Sequence, residues 1–320
     1  MRKVTLAAIQ AGNLPSISAS ELNPTAIIEG HVIPRINLQA ALLEQCAAKG
    51  TTLAVSNEDI GGVCRYLTKD ADLFNELTQL SSYIIEEKMS KLAADKNMYI
   101  GACYIKRINN FNYNVTSIFG PMGTILGEYR KTHIPPDEMW QIKDGESLNV
   151  IELEFGKVGV LTCYDMMFPE AASTLALAGA EIILHPTAGY GWYDSIGEAT
   201  LRTRANDNSV YIVTAKNYVH NGAGKSSVID YWGQVLADAG FYENAVVSKT
   251  VDLDVPKVQP DWFYQTNMSG IAEIKKRYLK ERRPELYGAV VKPAERLRIP
   301  DEAERAMLTK RIDNGECRWG

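Results

Sequence analysis

Histidine and cysteine, the side chains a transition metal prefers, are scarce in this 320-residue chain and widely scattered. His31, His133, His185 and His220 stand apart, none at ligand spacing from another, so no metal site and no organic cofactor is expected. The cysteines are Cys46, Cys64, Cys103, Cys163 and Cys317: odd in number, widely spaced and without a CxxC pair. A disulfide framework fits badly, and reduced thiols in a cytoplasmic protein fit best. Long apolar runs are missing too. "TLALAGAEIIL" is broken by Glu181 and then His185, so no transmembrane helix and no membrane partner are expected. The start, "MRKVTLAAIQAG", reaches Gln10 too soon for a signal peptide and reads as a strand. Positive charge is in short supply: the formal net charge is -5, and basic clusters are as short as Lys275 to Arg277 and Lys280 to Arg283. Phosphate backbones demand a positive field, so nucleic acid is not an expected partner. No Gly/Ser or Pro linker divides the chain and no solenoid repeat is visible.

What is present is a 46% hydrophobic composition, enough for a large core, with short β-type runs alternating with helical ones. "VTLAAIQ", "TLAVS", "YIGACYI", "YNVTSIF", "TILGEY", "KVGVLT", "EIILH", "VYIVTA" and "AVVSKTVDLDV" read as strands, and "SSVIDYWGQVLAD" as a hairpin around Trp232-Gly233. Ile36, Ala40, Leu43 and Ala47 recur at helical steps, with Gly50 as the stop. Leu77, Leu80, Ile84, Ile85, Met89 and Leu92 make a second helical stripe. Pro169 to Ala178 predicts a helix with Pro at its start, and Glu198 to Asn208 another. The pattern predicts one α/β domain over 1–255, with helices outside. After Pro256 strand character is lost, and 256–320 reads as a charged C-terminal tail packing on the body or on a second subunit.

Three polar residues close three predicted strands: Glu58 after "TLAVS", Lys131 after "GEYR" and Cys163 after "GVLT". Side chains at carboxyl ends of strands converge on the crevice of an α/β sheet. A thiolate attacks carbonyl carbon, a nearby cation favours it and stabilises an oxyanion, and a carboxylate shuttles the proton. A helix starting just after Cys163 would aim N–H groups at the same spot, with the Tyr164 N–H as oxyanion donor. Singly, each residue has a plainer reading. Cys163 is a small buried hydrophobe, Glu58 caps the turn at Gly61-Gly62, and Lys131 is a solvated edge charge.

"EYRKTHIP" followed by "GVLTCYDMMFPE", with the upstream strand–Glu, resembles the nitrilase superfamily of carbon–nitrogen hydrolases. "AAIQAG", the stretch from Ala199 to Asn217, "TVDLDV" and "RRPELYG" extend the resemblance over most of the chain. It implies a four-layer α-β-β-α sandwich, a homodimer or higher homo-oligomer, and a tail that crosses to the partner subunit. It also implies a Glu58-Lys131-Cys163 triad that hydrolyses a carbon–nitrogen bond through a thioester. A second family glutamate would be Glu138, with Asp137 as competitor. Two departures stand out: Asn57 where the family usually has Pro before the base, and a longer stretch from Gly12 to Arg35.

Cys163-Tyr164-Asp165 looks like the amidase and carbamoylase branches; nitrile-cleaving members more often carry Trp-Glu. A linear amide or N-carbamoyl compound is thus the expected small-molecule substrate. Tyr190 and Trp192, in "HPTAGYGWYD", are candidates to wall its pocket, the alternative being a glycine-rich turn with aromatic packing. Arg202 and Arg204 are candidates for a substrate carboxylate, at most one facing the pocket. His133 is a further substrate-binding candidate. Alternatives are nitrile hydrolysis or acyl transfer to an amine on the same site, a Cys-His enzyme using His133 or His185, and a non-catalytic scaffold.

Overall fold

The computed structural model describes residues 1–12, 23–188, 194–218, 224–255, 275, 280–293 and 299–314. Twelve strands form two six-stranded sheets. The first contains β1 (Lys3–Gln10), β2 (Leu53–Val55), β3 (Tyr99–Ile108), β4 (Phe111–Phe119), β5 (Ile125–Arg130) and β12 (Ala245–Asp252), in the order β12-β1-β2-β3-β4-β5. The second contains β6 (Val150–Leu153), β7 (Gly156–Val160), β8 (Ile182–Thr187), β9 (Tyr211–Lys216), β10 (Ser227–Ile229) and β11 (Val235–Asp238), in the order β11-β10-β9-β8-β7-β6.

The helices form where capping and periodicity agree. α1 (Pro24–Ile27) passes through a single π turn (Ile28–Val32) into α2 (Ile33–Ala48), whose Ile36, Ala40 and Leu43 are buried. Asp70 caps α3 (Ala71–Lys96) by accepting from the Asp72 and Leu73 N–H groups, and Asn97 ends it in the left-handed region, at φ 50°. α4 (Pro169–Leu177) opens on proline and α5 (Asp194–Asn208) follows β8. The predicted strands, hairpin and these helices all form.

Three apolar clusters make four layers. Ile36, Leu43, Phe74 and Leu77 pack α2 and α3 onto Ile9, Ile100 and Ala102 of the first sheet. Leu6, Val55, Ile118, Val158, Leu184 and Val213 fill the space between the sheets. Ala172, Leu175, Leu201 and Ala205 cover Ile183 and Ile212 with α4 and α5. The protein is thus an α-β-β-α sandwich, each buried Leu, Ile or Phe contributing about 1.5–3 kcal/mol.

Strand direction decides where the site lies. β1, β2 and β3 are parallel, and β5 runs with them because each pairs antiparallel with β4 or reaches it through β3. β7, β8 and β9 are likewise parallel. The segments after β2, β5, β7 and β8 leave their sheets at carboxyl ends. Among the described residues no helix is long and apolar enough to cross a membrane.

Part of the tail is described. α6 (Glu302–Asp313) carries an Asp301–Glu304 capping box and buries Ile312 against the first apolar cluster. Lys69 pairs with Asp313 at 3.2 Å, Arg305 donates to the Lys69 carbonyl, and Trp140 Nε1 donates to the Pro300 carbonyl. Residues 280–293 are exposed.

Gly101 of β3 lets the two sheets approach: a Cβ there would meet Leu184 Cδ1 at 2.7 Å. Gly101→Val is expected to destabilise the fold by about 1–3 kcal/mol, the cost of overpacking, read as a lower urea midpoint at unchanged slope.

Candidate active site

β2 ends at Val55, and Ser56, Asn57 and Glu58 carry the chain off the sheet. Asn57, the residue before Glu58, is held by two hydrogen bonds. Its N–H donates to Gln39 Oε1 at 3.2 Å and its Oδ1 accepts the Ala11 N–H at 2.9 Å, which fixes the backbone before Glu58. The next turn is closed by Asp59, not Glu58. The Asp59 carboxylate accepts the Val63 and Cys64 N–H groups at 3.2 and 2.7 Å. Asp59 thus takes the capping role considered for Glu58, and the Glu58 carboxylate points inward.

There it meets Lys131. The Lys131 N–H continues the β4–β5 pairing by donating to the Asn114 carbonyl at 2.8 Å. Its Nζ donates to Glu58 Oε1 at 2.9 Å and to both carboxylate oxygens of Glu138 at 2.8 Å. All three side chains are 0% exposed, which excludes the edge-charge reading of Lys131. Glu138, not Asp137, pairs with Lys131. Glu58 gains two further donors: Asn114 Nδ2 at 2.9 Å on Oε1 and the Ala188 N–H at 2.8 Å on Oε2. Three donor contacts thus compensate a buried carboxylate that would otherwise be very costly.

Cys163 stands three residues past β7 with φ at 48°, a left-handed conformation that is strained in a non-glycine residue. The α-helix predicted from Pro169 forms there, so none follows the thiol directly. A 3-10 turn, Cys163–Met167, comes first, and α4 begins only at Pro169. The cause is Asp165, whose carboxylate accepts the Thr162 N–H at 2.9 Å and caps the short turn. The N–H groups near the thiol therefore belong to this turn, not to α4. The Tyr164 N–H lies in its first residues, which a helical turn leaves without internal acceptors.

Asp165 also joins the cysteine turn to the lysine segment. It accepts from Tyr129 Oη at 2.7 Å, Thr132 Oγ1 at 3.0 Å and the His133 N–H at 2.9 Å, and faces His133 Nδ1 at 2.8 Å. Burial beside that carboxylate pushes the Tyr129 phenol well up, so it stays a donor. Thr162 Oγ1 lies 3.3 Å from Thr116 Oγ1, two positions along β4 from the Asn114 that holds Glu58. The thiol's turn is thus tied to the supports of both Lys131 and Glu58.

Neither histidine suits a Cys-His pair. His185 Nε2 reaches the Cys163 carbonyl oxygen, at 3.3 Å, and Nδ1 lies 2.9 Å from Thr214 Oγ1. Burial pulls its pKa down to about 4, so it is neutral at pH 7. His133 is engaged by Asp165 and stacks on Phe168 at 3.9 Å. Burial pushes the Cys46 thiol up to about 12 and raises Cys64 and Cys103 as well, leaving them inert.

Arg202 does not join this group, and its assignment to a substrate carboxylate is corrected. α5 runs back from the end of β8, and Arg202 Nε donates at 2.7 Å to the Gly233 carbonyl, in the hairpin turn at the opposite rim. The helix spacing that suggested it said nothing of which rim it reached. Tyr190 and Trp192 lie outside the described residues. The Tyr164 ring packs edge-on against Phe168 at 5.3 Å and, with His133 and Trp140, lines a groove of about 960 Å³ beside the cysteine turn. Among the described residues no His, Cys, Asp and Glu cluster could hold a metal ion. Three supports escaped the sequence reading: Asn114, Asp165 and the Ala188 N–H. Thr162-x-x-Asp165 fits a capping box, a signal that was there to be read.

The model of the carbon-nitrogen hydrolase family matches residues 67–258, a stretch holding Lys131, Glu138 and Cys163. The chain belongs to the carbon–nitrogen hydrolase family. It is accordingly a hydrolase acting on carbon–nitrogen bonds other than peptide bonds. A Pseudomonas protegens protein described as a hydrolase in the pqqF 5' region is 37% identical over 181 residues, 55% of this chain and 59% of that one. Omega-amidase NIT2-B of Xenopus laevis is 32% identical over 238 residues, 68% of this chain and 83% of that one. N-carbamoylputrescine amidase of Arabidopsis thaliana is 28% identical over 278 residues, 78% and 88% of the two chains. Nit3 of Saccharomyces cerevisiae, a member of branch 10 of the nitrilase superfamily, shares the fold with a TM-score of 0.64 at 23% identity, covering 78% and 90%.

Asp165→Asn presents an amide N–H₂ to groups that donate. It is expected to cost about 1–3 kcal/mol of stability for each donor left unpaired, seen in urea unfolding, and to lower kcat.

Proposed function

We propose that the protein hydrolyses a linear amide or an N-carbamoyl compound through a thioester on Cys163. The observation that carries this reading is the fully buried Lys131 ammonium held between Glu58 and Glu138 at 2.8–2.9 Å, on a segment joined through Asp165 to the turn of Cys163. Glu58 takes the thiol proton, and Cys163 Sγ attacks the carbonyl carbon. Lys131 Nζ and the Tyr164 N–H stabilise the oxyanion. As the tetrahedral species collapses, Glu58 returns its proton to the departing nitrogen, which leaves as an amine or ammonia. Glu58 then deprotonates a water that attacks the thioester. The second tetrahedral species expels the sulfur, releasing the acid and restoring the thiol. Glu138 orients Lys131 and offsets its charge. The likeness to an omega-amidase and an N-carbamoylputrescine amidase supports amides and N-carbamoyl compounds over nitriles.

A thiol nucleophile suits a reducing cytoplasm. The exposed Leu286, Tyr287, Val290 and Val291 of the tail and Leu177 of α4 support a homo-oligomer that covers them.

Ammonia release is to be measured across a panel of amides, N-carbamoyl amino acids and nitriles. Turnover of amides or N-carbamoyl compounds is expected, abolished by Cys163→Ala and reduced at least about 10³-fold by Lys131→Ala. Full activity of either variant, or turnover of nitriles alone, rules the reading out.

A further inference from the structure

His185 has no part in the chemistry just described, yet it is fully buried and touches the nucleophile's own backbone. Its Nε2 lies 3.3 Å from the carbonyl oxygen of Cys163. That oxygen and the N–H of Tyr164 belong to one peptide group. A trans peptide is planar, with its C=O and N–H pointing in opposite directions. Whatever holds the oxygen therefore also sets the direction of the hydrogen.

We infer that His185 is a positioning residue that aims the Tyr164 N–H at the oxyanion by anchoring the other end of the Cys163–Tyr164 peptide. The inference rests on the thioester reading, in which that N–H is an oxyanion donor.

Three further observations support it. First, Nδ1 of His185 lies 2.9 Å from Thr214 Oγ1. With Nε2–H donating to a carbonyl, Nδ1 must accept, and the Thr214 hydroxyl donates to it. This fixes the tautomer, as outer partners do for ligating histidines. Second, burial keeps the imidazole neutral down to about pH 4, so it holds a single proton, which the two contacts place on Nε2. Third, Cys163 sits at φ 48°, a conformation that persists only where its surroundings enforce it. The contact from β8 supplies one such restraint, beside the Asp165 cap of the same turn.

The line runs from the Thr214 hydroxyl to His185 Nδ1, from Nε2–H to the Cys163 carbonyl, and from the Tyr164 N–H to the developing oxyanion. Each hydrogen bond in such a chain polarises the next, so a carbonyl that accepts makes its own peptide N–H a better donor. Charge develops on the substrate oxygen only in the transition state. The contact should then appear in kcat and leave KM nearly unchanged.

The test compares the native enzyme with His185→Leu, His185→Gln and Thr214→Val on the best amide of the panel. Each protein is also alkylated with iodoacetamide, the adduct being located by mass spectrometry. His185→Leu is expected to lower kcat about 10–100-fold, less than the outright loss of an oxyanion donor, with KM within about threefold. Alkylation of Cys163 should proceed at close to the native rate, because the thiol and its proton acceptor are untouched. His185→Gln can still donate from its amide and is expected to recover at least a tenth of native kcat. Thr214→Val should fall between the two. Native kcat for His185→Leu overturns the inference. So does a loss shared equally by Leu and Gln, or one matched by slower alkylation, since a general loosening of the turn produces both. Failure of iodoacetamide to label Cys163 in the native enzyme, or turnover by Cys163→Ala, removes the thioester reading itself, and is told apart by being independent of His185.

Discussion

A lysine ammonium with no access to water sits between two carboxylates, and the rest of the site is arranged around that fact. Burying one cation and two anions costs more than their attraction returns unless every remaining valence is met. Here Glu58 draws on Asn114 and the Ala188 N–H as well as Lys131, while Glu138 is bidentate on Lys131. The donors come from both sheets, so the charges find their partners only when the sandwich is closed. Folding and assembly of the site are one event.

Asp165 extends the same logic to the nucleophile. It caps the turn of Cys163 and gathers Tyr129, Thr132 and His133 from the segment around Lys131. The thiol, the cation and the base then lie on three separate chain segments whose relative placement is set by buried polar contacts. Such contacts are directional, unlike apolar packing, and catalysis requires angles as well as proximity.

The layers and the three strand-end residues were legible because they follow from local rules. Apolar periodicity marked the helices, and three of the short apolar runs each ended at one reactive side chain. Glu138 was reached through resemblance, since nothing in "HIPPDE" alone favours it over Asp137. Asn114 and the Ala188 N–H were hidden because their partner Glu58 is remote in sequence, and pairing across sheets leaves no local trace. The 3-10 turn was missed because the proline of α4 announced a helix more loudly than Thr162 and Asp165 announced a cap. Arg202 was misplaced for a simpler reason: helical spacing gives the face of a residue but not its height along the strands.

The parallel strands also leave the sandwich with a second rim. The turns Gly120–Gly123 and Asp230–Gly233, together with the Arg2–Glu181–Asp254 cluster, lie there, a full strand length from the thiol. Chemistry at one end and plain hairpins at the other make the molecule polar in an architectural sense. A tether, a surface attachment or an inserted loop has a natural home among those hairpins, where it would neither shade the substrate's entrance nor disturb the charges beneath it.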